Sequence, residues 1–211
     1  KGAYRKTLNA FKTGRIDILI GTQMIAKGLH FPNVTLVGVI FADLGLHLPD
    51  FRAGERTFQL LTQVAGRAGR GDIPGHVIVQ SYTPFNPALE FAKEHDVDGF
   101  AKSVLEEREA MRFPPFRHMV LVHFRGREEE RVHAVAAELH DVLEGRLPKG
   151  TDIIGPMPAP IAKIRGLFRY QILLQTPAVT RLSALLRKIL VGRKPPAGVD
   201  VHVDVDPFSM M

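Results

Sequence analysis

Three short apolar runs, at residues 16–20, 35–41 and 76–82, constrain this chain more than any other feature. They are rich in isoleucine, leucine and valine at successive rather than alternate positions. A strand of that kind needs cover on both faces, which is the condition of a parallel sheet flanked by helices. The intervening segments agree. Residues 4–11 carry Tyr4, Leu8 and Phe11 on one helical face, with Gly14 placed to stop the helix. Residues 24–27 read as one helical turn ended by Gly28, and residues 43–52, with Gly45 and Pro49, as a loop. A longer helix starts near Gly54 and carries Phe58, Leu60, Leu61 and Val64. Strand–helix–strand alternation of this kind predicts a partial, doubly wound α/β lobe. Open α/β sheets gather ligands beyond the carboxyl ends of their strands. That singles out Thr22 and Gln23 after the first run and Asp43 after the second.

The longer helix ends in QVAGRAGR, residues 63–70. Gln63, Arg67 and Arg70 fall at i, i+4 and i+7, so they share one helical face. Ala65, Gly66, Ala68 and Gly69 are small. Glycines near a helix end are locally unfavourable, yet they let another surface approach the backbone. Two guanidinium groups and an amide on such a face suit polyanionic oxygens, because guanidinium meets phosphate through two parallel hydrogen bonds. An arbitrary pair of arginines at this spacing is more often a solvated helix end with a glycine stop. Asp43 stands where it can orient Arg67 or Arg70, and a capping or turn role fits its position equally.

Beyond residue 83 the pattern changes. Helices around residues 90–92 and 100–111 form a connector that Pro114-Pro115 closes. The expected division is residues 1–107 for the lobe with its connector and 108–211 for a second domain. There, Met119, Leu121 and His123 alternate with Val120, Val122 and Phe124 along a strand. Residues 127–143 form an amphipathic helix whose stripe is Val132, Val135, Ala136, Leu139 and Val142. Residues 152–154, 161–165 and 168–175 read as strands, the last two turning at Gly166. Residues 177–190 form a helix with Leu182, Leu185, Leu186 and Ile189 inward, and residues 199–205 close the sheet. The expected order is β-α-β-β-β-α-β, a smaller α+β domain with its helices on one face.

Charge separates the halves. The net charge is +6, with 12 basic against 11 acidic residues over 1–107 and 16 against 11 over 108–211. Residues 150–199 hold eight basic residues and one acid, Asp152. Such an excess attracts polyanions or acidic peptides, a solvated basic surface being the plain alternative. Lys163, Arg165 and Arg169 flank the Gly166 turn together with Phe168 and Tyr170. Basic residues interleaved with aromatics suit backbone contact and base stacking on nucleic acid. Strand alternation places Tyr170 with Phe168 and Ile172 on the core side and Arg169 on the other. Asp200, Asp204 and Asp206 lie close enough in sequence for a hard-cation site, but read better as exposed charges or salt-bridge partners of the basic stretch. The nine histidines show no metal-ligand spacing, and the absence of cysteine excludes disulfides and thiolate metal sites. No metal site is expected. No apolar run nears the ~20 residues of a membrane span, and the polar, basic first twelve residues carry no leader pattern. The expectation is a cytoplasmic protein without membrane contact.

QVAGRAGR resembles the last conserved motif of superfamily 2 helicases. GTQMIAKGLHFP, residues 21–32, resembles the motif that couples ATP to the nucleic-acid track in their second RecA-like lobe. ADLGLHLPDFR at 42–52, RFPPF at 112–116, GPMPAP at 155–160 and DVDP at 204–207 narrow the resemblance to the bacterial replication-restart helicases, over residues 1–207. The resemblance implies a RecA-like second helicase lobe in an ATP-dependent 3′→5′ DNA helicase, acting in restart of stalled replication forks and primosome assembly. It implies Arg67 and Arg70 as arginine fingers, with Gln63, Gly66, Asp43 and Gln23 beside the nucleotide. It implies Thr22 and Lys27 on nucleic-acid phosphates, and a DNA-binding carboxyl-terminal domain, in which the basic hairpin makes Lys163, Arg165 and Arg169 the expected DNA contacts. The implied partners are branched and single-stranded DNA, the tail of single-stranded-DNA-binding protein and other primosome proteins.

Two features depart from the pattern. Neither GxxxxGK[ST] nor DExH occurs, and the family's zinc-binding cysteines are missing. The resemblance therefore implies a carboxyl-terminal fragment that begins within the second lobe. ATP and magnesium would be held mainly by the missing first lobe and zinc by the missing cysteine-rich segment. No cofactor is expected for the fragment alone, and it is expected to be inactive because the triphosphate cradle is absent. The alternative is a stand-alone module that binds DNA or an acidic peptide without catalysis.

Overall fold

The computed structural model describes residues 2–22, 34–66, 74–192 and 196–211. The chain divides into two compact units, Lys1–Leu48 with Arg52–Ala101, and Pro49–Phe51 with Lys102–Met211.

The first unit is built on helices around a small parallel sheet. Helix α1 spans Gly2–Lys12. It stops where Gly14, at φ +70°, lets its own N–H reach Phe11 O and that of Arg15 reach Ala10 O. Strand β1 (Leu36–Val39) and strand β2 (His76–Val79) pair in parallel, Leu36 opposite His76 and Val39 opposite Val79. Between them run α2 (Asp43–Leu46) and α3 (Ala53–Ala65). Ala53, Thr57, Phe58, Leu61 and Val64 form the buried stripe of α3. Phe58 stacks on Phe100 at 4.1 Å between ring centroids. A side chain at Gly45 would meet Thr57 Oγ1 at 2.5 Å, so α2 and α3 approach through that glycine. Helix α4 (Pro87–Glu94) begins at Asn86, whose Oδ1 accepts from Ala88 N–H at 2.9 Å with proline at the first helical position. Helix α5 follows at Val97–Ala110.

The parallel pairing matches the sequence pattern, but the strands are shorter than the apolar runs. Residues 16–20 form no strand, and Ile18 and Ile20 are exposed. In β1 and β2 no residue is fully buried. A continuous apolar run becomes a doubly covered strand only where neighbours supply ladders and helices cover both faces. A sheet of two four-residue strands supplies neither in full. Residues 43–52 hold the helical turn of α2 in place of the expected loop.

The second unit contains β3 (His118–Gly126), α6 (Glu129–Glu144), β4 (Asp152–Ile164), β5 (Leu167–Thr176), α7 (Val179–Val191) and β6 (Val199–Val205). The antiparallel sheet has the order β4-β5-β3-β6. The element order is β-α-β-β-α-β. Residues 152–154 and 161–165, expected as two strands, are the ends of one. The register of β4 shifts between Ile154 and Met157 and again between Pro158 and Lys163. Pro156, Pro158 and Pro160 cannot donate to a ladder, which an edge strand tolerates, so GPMPAP stays extended instead of breaking.

Helices α6 and α7 cover one face of this sheet. Val120, Val122, Phe124, Ile172 and Leu174 face Val132, Ala136, Leu139, Leu182 and Leu186 there. Part of the opposite face is also covered: Met119, Leu121 and Leu173 lie under Phe51, Phe113, Met157 and Met210. Central strand β3 is thus buried on both sides over most of its length. Among the described residues no helix is long and apolar enough to cross a membrane.

Candidate nucleotide and nucleic-acid surfaces

Asp43 lies just past the carboxyl end of β1 and is only 2% exposed. Its Oδ1 accepts from Ser81 Oγ at 2.9 Å, Thr83 N–H at 3.1 Å and Thr83 Oγ1 at 2.7 Å. Its Oδ2 accepts from Tyr82 N–H at 3.1 Å. Burial pushes the carboxyl pKa up, but the donors from Thr83, Tyr82 and Ser81 outweigh it and bring the value down to about 2. The carboxylate ties the segment after β2 to the start of α2, the turn role that its position allowed. Arg67 and Arg70, which it was also placed to orient, lie outside the described residues, as do Gln23 and Lys27.

Gln63 is exposed and sits off the buried stripe of α3. Gly66 caps the helix, its N–H reaching Thr62 O at 3.1 Å, with φ −69°. The helix thus presents Gln63 and Gly66 to solvent at the end that leads into the arginine motif. Thr22 is exposed in an irregular segment.

The second surface is the β4–β5 hairpin. Ile164 pairs with Leu167, leaving a two-residue turn of Arg165 (φ 50°) and Gly166 (φ 80°). Both are left-handed, as a type I′ turn requires, and this turn matches strand twist. Arg165 is therefore held at the tip, exposed. Lys163 Nζ stands 4.0 Å above the Phe168 ring centroid. Arg169 donates from Nη1 to Ile161 O at 3.3 Å. Tyr170 lies half-buried on the helix side, its hydroxyl donating to Glu129 Oε1 at 3.1 Å and its ring set edge-on to His133. The alternation read from sequence thus holds for Tyr170; Lys163, Arg165 and Arg169 stand on one hairpin, Lys163 on the Phe168 side, Arg165 at the tip and Arg169 on the opposite side.

Asp200 on β6 and Asp206 just beyond it find partners on β3. Arg125 Nε donates to Asp200 Oδ2 at 3.0 Å, and His118 Nδ1 lies 2.9 Å from Asp206 Oδ2. Among the described residues no group of three or more histidines or carboxylates is placed to hold a metal ion.

Sequence reasoning missed a further cluster. His123 on β3 is directly opposite His202 on β6 and Gln171 on β5. The two imidazoles stack at 4.7 Å. Only the strand order β5-β3-β6 brings the three residues into one row, and spacing along the chain carries no sign of it.

Comparison with known proteins agrees with both units. Residues 109–208 match the profile of the Primosomal protein N C-terminal domain, and residues 2–72 that of the Helicase conserved C-terminal domain. Replication restart protein PriA of Bacillus subtilis is 46% identical over 214 aligned residues, covering 100% of this chain and 27% of that protein. The chain belongs to the replication restart protein PriA family. Its PriA relatives in Treponema pallidum and Haemophilus influenzae are 42% and 39% identical, each over the whole chain and over 32% and 29% of their own lengths. The chain thus spans roughly a quarter to a third of the PriA proteins it matches. The two matched profiles assign residues 2–72, the arginine motif included, to the conserved helicase C-terminal domain, and the antiparallel unit to the primosomal protein N C-terminal domain.

Proposed function

We propose that this chain is the part of an ATP-dependent DNA helicase, acting at stalled replication forks, that completes the ATP site and holds DNA. Arg67 and Arg70 act as arginine fingers on a triphosphate whose cradle and magnesium lie in a preceding lobe. Gln23, Gln63 and Gly66 lie beside them. Thr22 and Lys27 contact the phosphates of the tracking strand, which the enzyme follows 3′→5′. Lys163, Arg165 and Arg169 grip DNA from the hairpin. The acidic tail of single-stranded-DNA-binding protein, branched DNA and other primosome proteins are the partners that this reading brings to the basic carboxyl-terminal unit.

One observation carries the reading: QVAGRAGR begins in the last turn of a well-packed helix, where Gln63 is exposed and off the buried stripe. Phosphoryl transfer needs little covalent help from protein but much charge placed on the equatorial oxygens, which arginine supplies. The chain carries the arginines without GxxxxGK[ST], so it should not turn over ATP by itself. Full-length protein should hydrolyse ATP when single-stranded DNA is added, and the 211-residue chain should not. Hydrolysis by the purified chain above a buffer control would contradict the division of labour. A full-length protein without DNA-stimulated turnover would leave only the binding module.

A further inference from the structure

On the helix-free face of the second unit, two adjacent rows of side chains cross the sheet. Gln171, His123 and His202 form one; Arg169, Arg125 and Asp200 form the next. Met119, Leu121 and Leu173, on the same face, are covered, but Arg125 and His202 are exposed and His123 half-buried. Gln171 is 4% exposed, and its Oε1 has no hydrogen-bond partner among the described residues. A buried acceptor without a donor is costly and calls for one.

The charges explain the state of the row. His123 faces His202 and Asp204 from β6 and Arg169 from β5, and Arg125 lies two residues along its own strand; Met157 opposite Gln171 on β4 adds no charge. With neutral imidazoles, Arg125 and Arg169 are balanced by Asp200 and Asp204. Burial, then His202, then Arg169 push the pKa of His123 down, with Asp204 opposing them. The free face therefore favours the uncharged form of His123. An anion laid against Arg169 and the stacked rings reverses that balance. An imidazolium also carries N–H on both ring nitrogens, so charging His123 adds a donor in the same row as the orphaned Gln171 acceptor.

We propose that these two rows form a backbone-phosphate site for single-stranded DNA, and that filling the site loads the histidine pair with a proton. The inference rests on the reading that this unit contacts DNA, and it adds a site and a proton linkage that the hairpin alone does not provide.

The test uses the whole 211-residue chain and an oligothymidylate, whose bases carry no group that titrates near neutrality. Binding is followed by fluorescence anisotropy at fixed ionic strength between about pH 5.5 and 8, the window in which histidine charge changes. Affinity should rise on acidification by up to about tenfold per pH unit for each proton taken up. His123→Gln and the exposed His202→Gln should each reduce that dependence while keeping the thermal midpoint at pH 8 near wild type. Lys163→Ala with Arg165→Ala should flatten the salt dependence and leave the pH dependence in place. Affinity that is independent of pH, or equally dependent on pH in His202→Gln, overturns the proton-linked site, while a flattened salt slope in the double variant keeps the DNA reading. Absence of oligothymidylate binding at every pH removes both. If sulfate alone drives the same proton uptake, measured by calorimetry in buffers of different ionisation enthalpy, the site takes any small anion and the assignment to DNA falls.

Discussion

Above pH 4 the Asp43 carboxylate is ionised and holds the donors of Ser81, Tyr82 and Thr83. Its folded pKa, about 2, lies below the ordinary 3.8. The stabilisation is therefore complete above the ordinary value and is lost as pH falls from about 4 to about 2. Asp43→Asn turns an amide donor toward a set of donors. Its thermal midpoint should be lower than wild type at pH 7, and the gap should close toward pH 2, where the wild-type group is also neutral. A gap of equal size at both pH values, read by scanning calorimetry, would show that charge is not the reason. This residue also marks a limit of reading along the chain. Its place after an apolar run was visible, but its partners lie 38 to 40 positions away. Only the parallel pairing of β1 and β2 brings them to it. The His123–His202 pair was hidden for the same reason.

Elements whose signal was local came through. The stripe Val132, Ala136, Leu139 lies buried on α6, and Leu182, Leu186 and Ile189 on α7, because helical periodicity and burial on one sheet face are the same pattern. Strand β6 also keeps the expected bounds. Residues 16–20 did not become a strand, since the strength of an apolar run says nothing about whether partners stand on both sides of it. The long β4 was read as two strands because prolines look like breaks, although an edge can hold them. The β4–β5 hairpin carries this scale's prediction. Replacing Lys163, Arg165 and Arg169 together with alanine should weaken DNA binding by the whole chain. It should also lower the log–log salt slope by about 0.7–0.9 for each phosphate that the hairpin no longer neutralises. A slope equal to wild type would place the DNA surface elsewhere. The change removes one hydrogen bond to Ile161 O and one contact with Phe168 but leaves the backbone ladder of the hairpin, and alanine at position 165 keeps the same left-handed demand, so near-wild-type far-ultraviolet circular dichroism should accompany it.

The molecule joins a helicase-type α/β unit to an antiparallel unit with helices on one face, and its PriA relatives extend well beyond it. On this account the two units divide the work: one supplies charge to ATP held elsewhere in the parent protein, the other holds DNA. The most direct test is steady-state ATP turnover by the full-length parent carrying Arg67→Ala or Arg70→Ala, measured with saturating single-stranded DNA beside DNA-binding titrations of the same proteins. Turnover should fall by ~10³-fold or more in each variant while DNA affinity stays close to wild type. Near-normal hydrolysis in Arg67→Ala would contradict the finger role and leave that arginine a solvated helix-end residue.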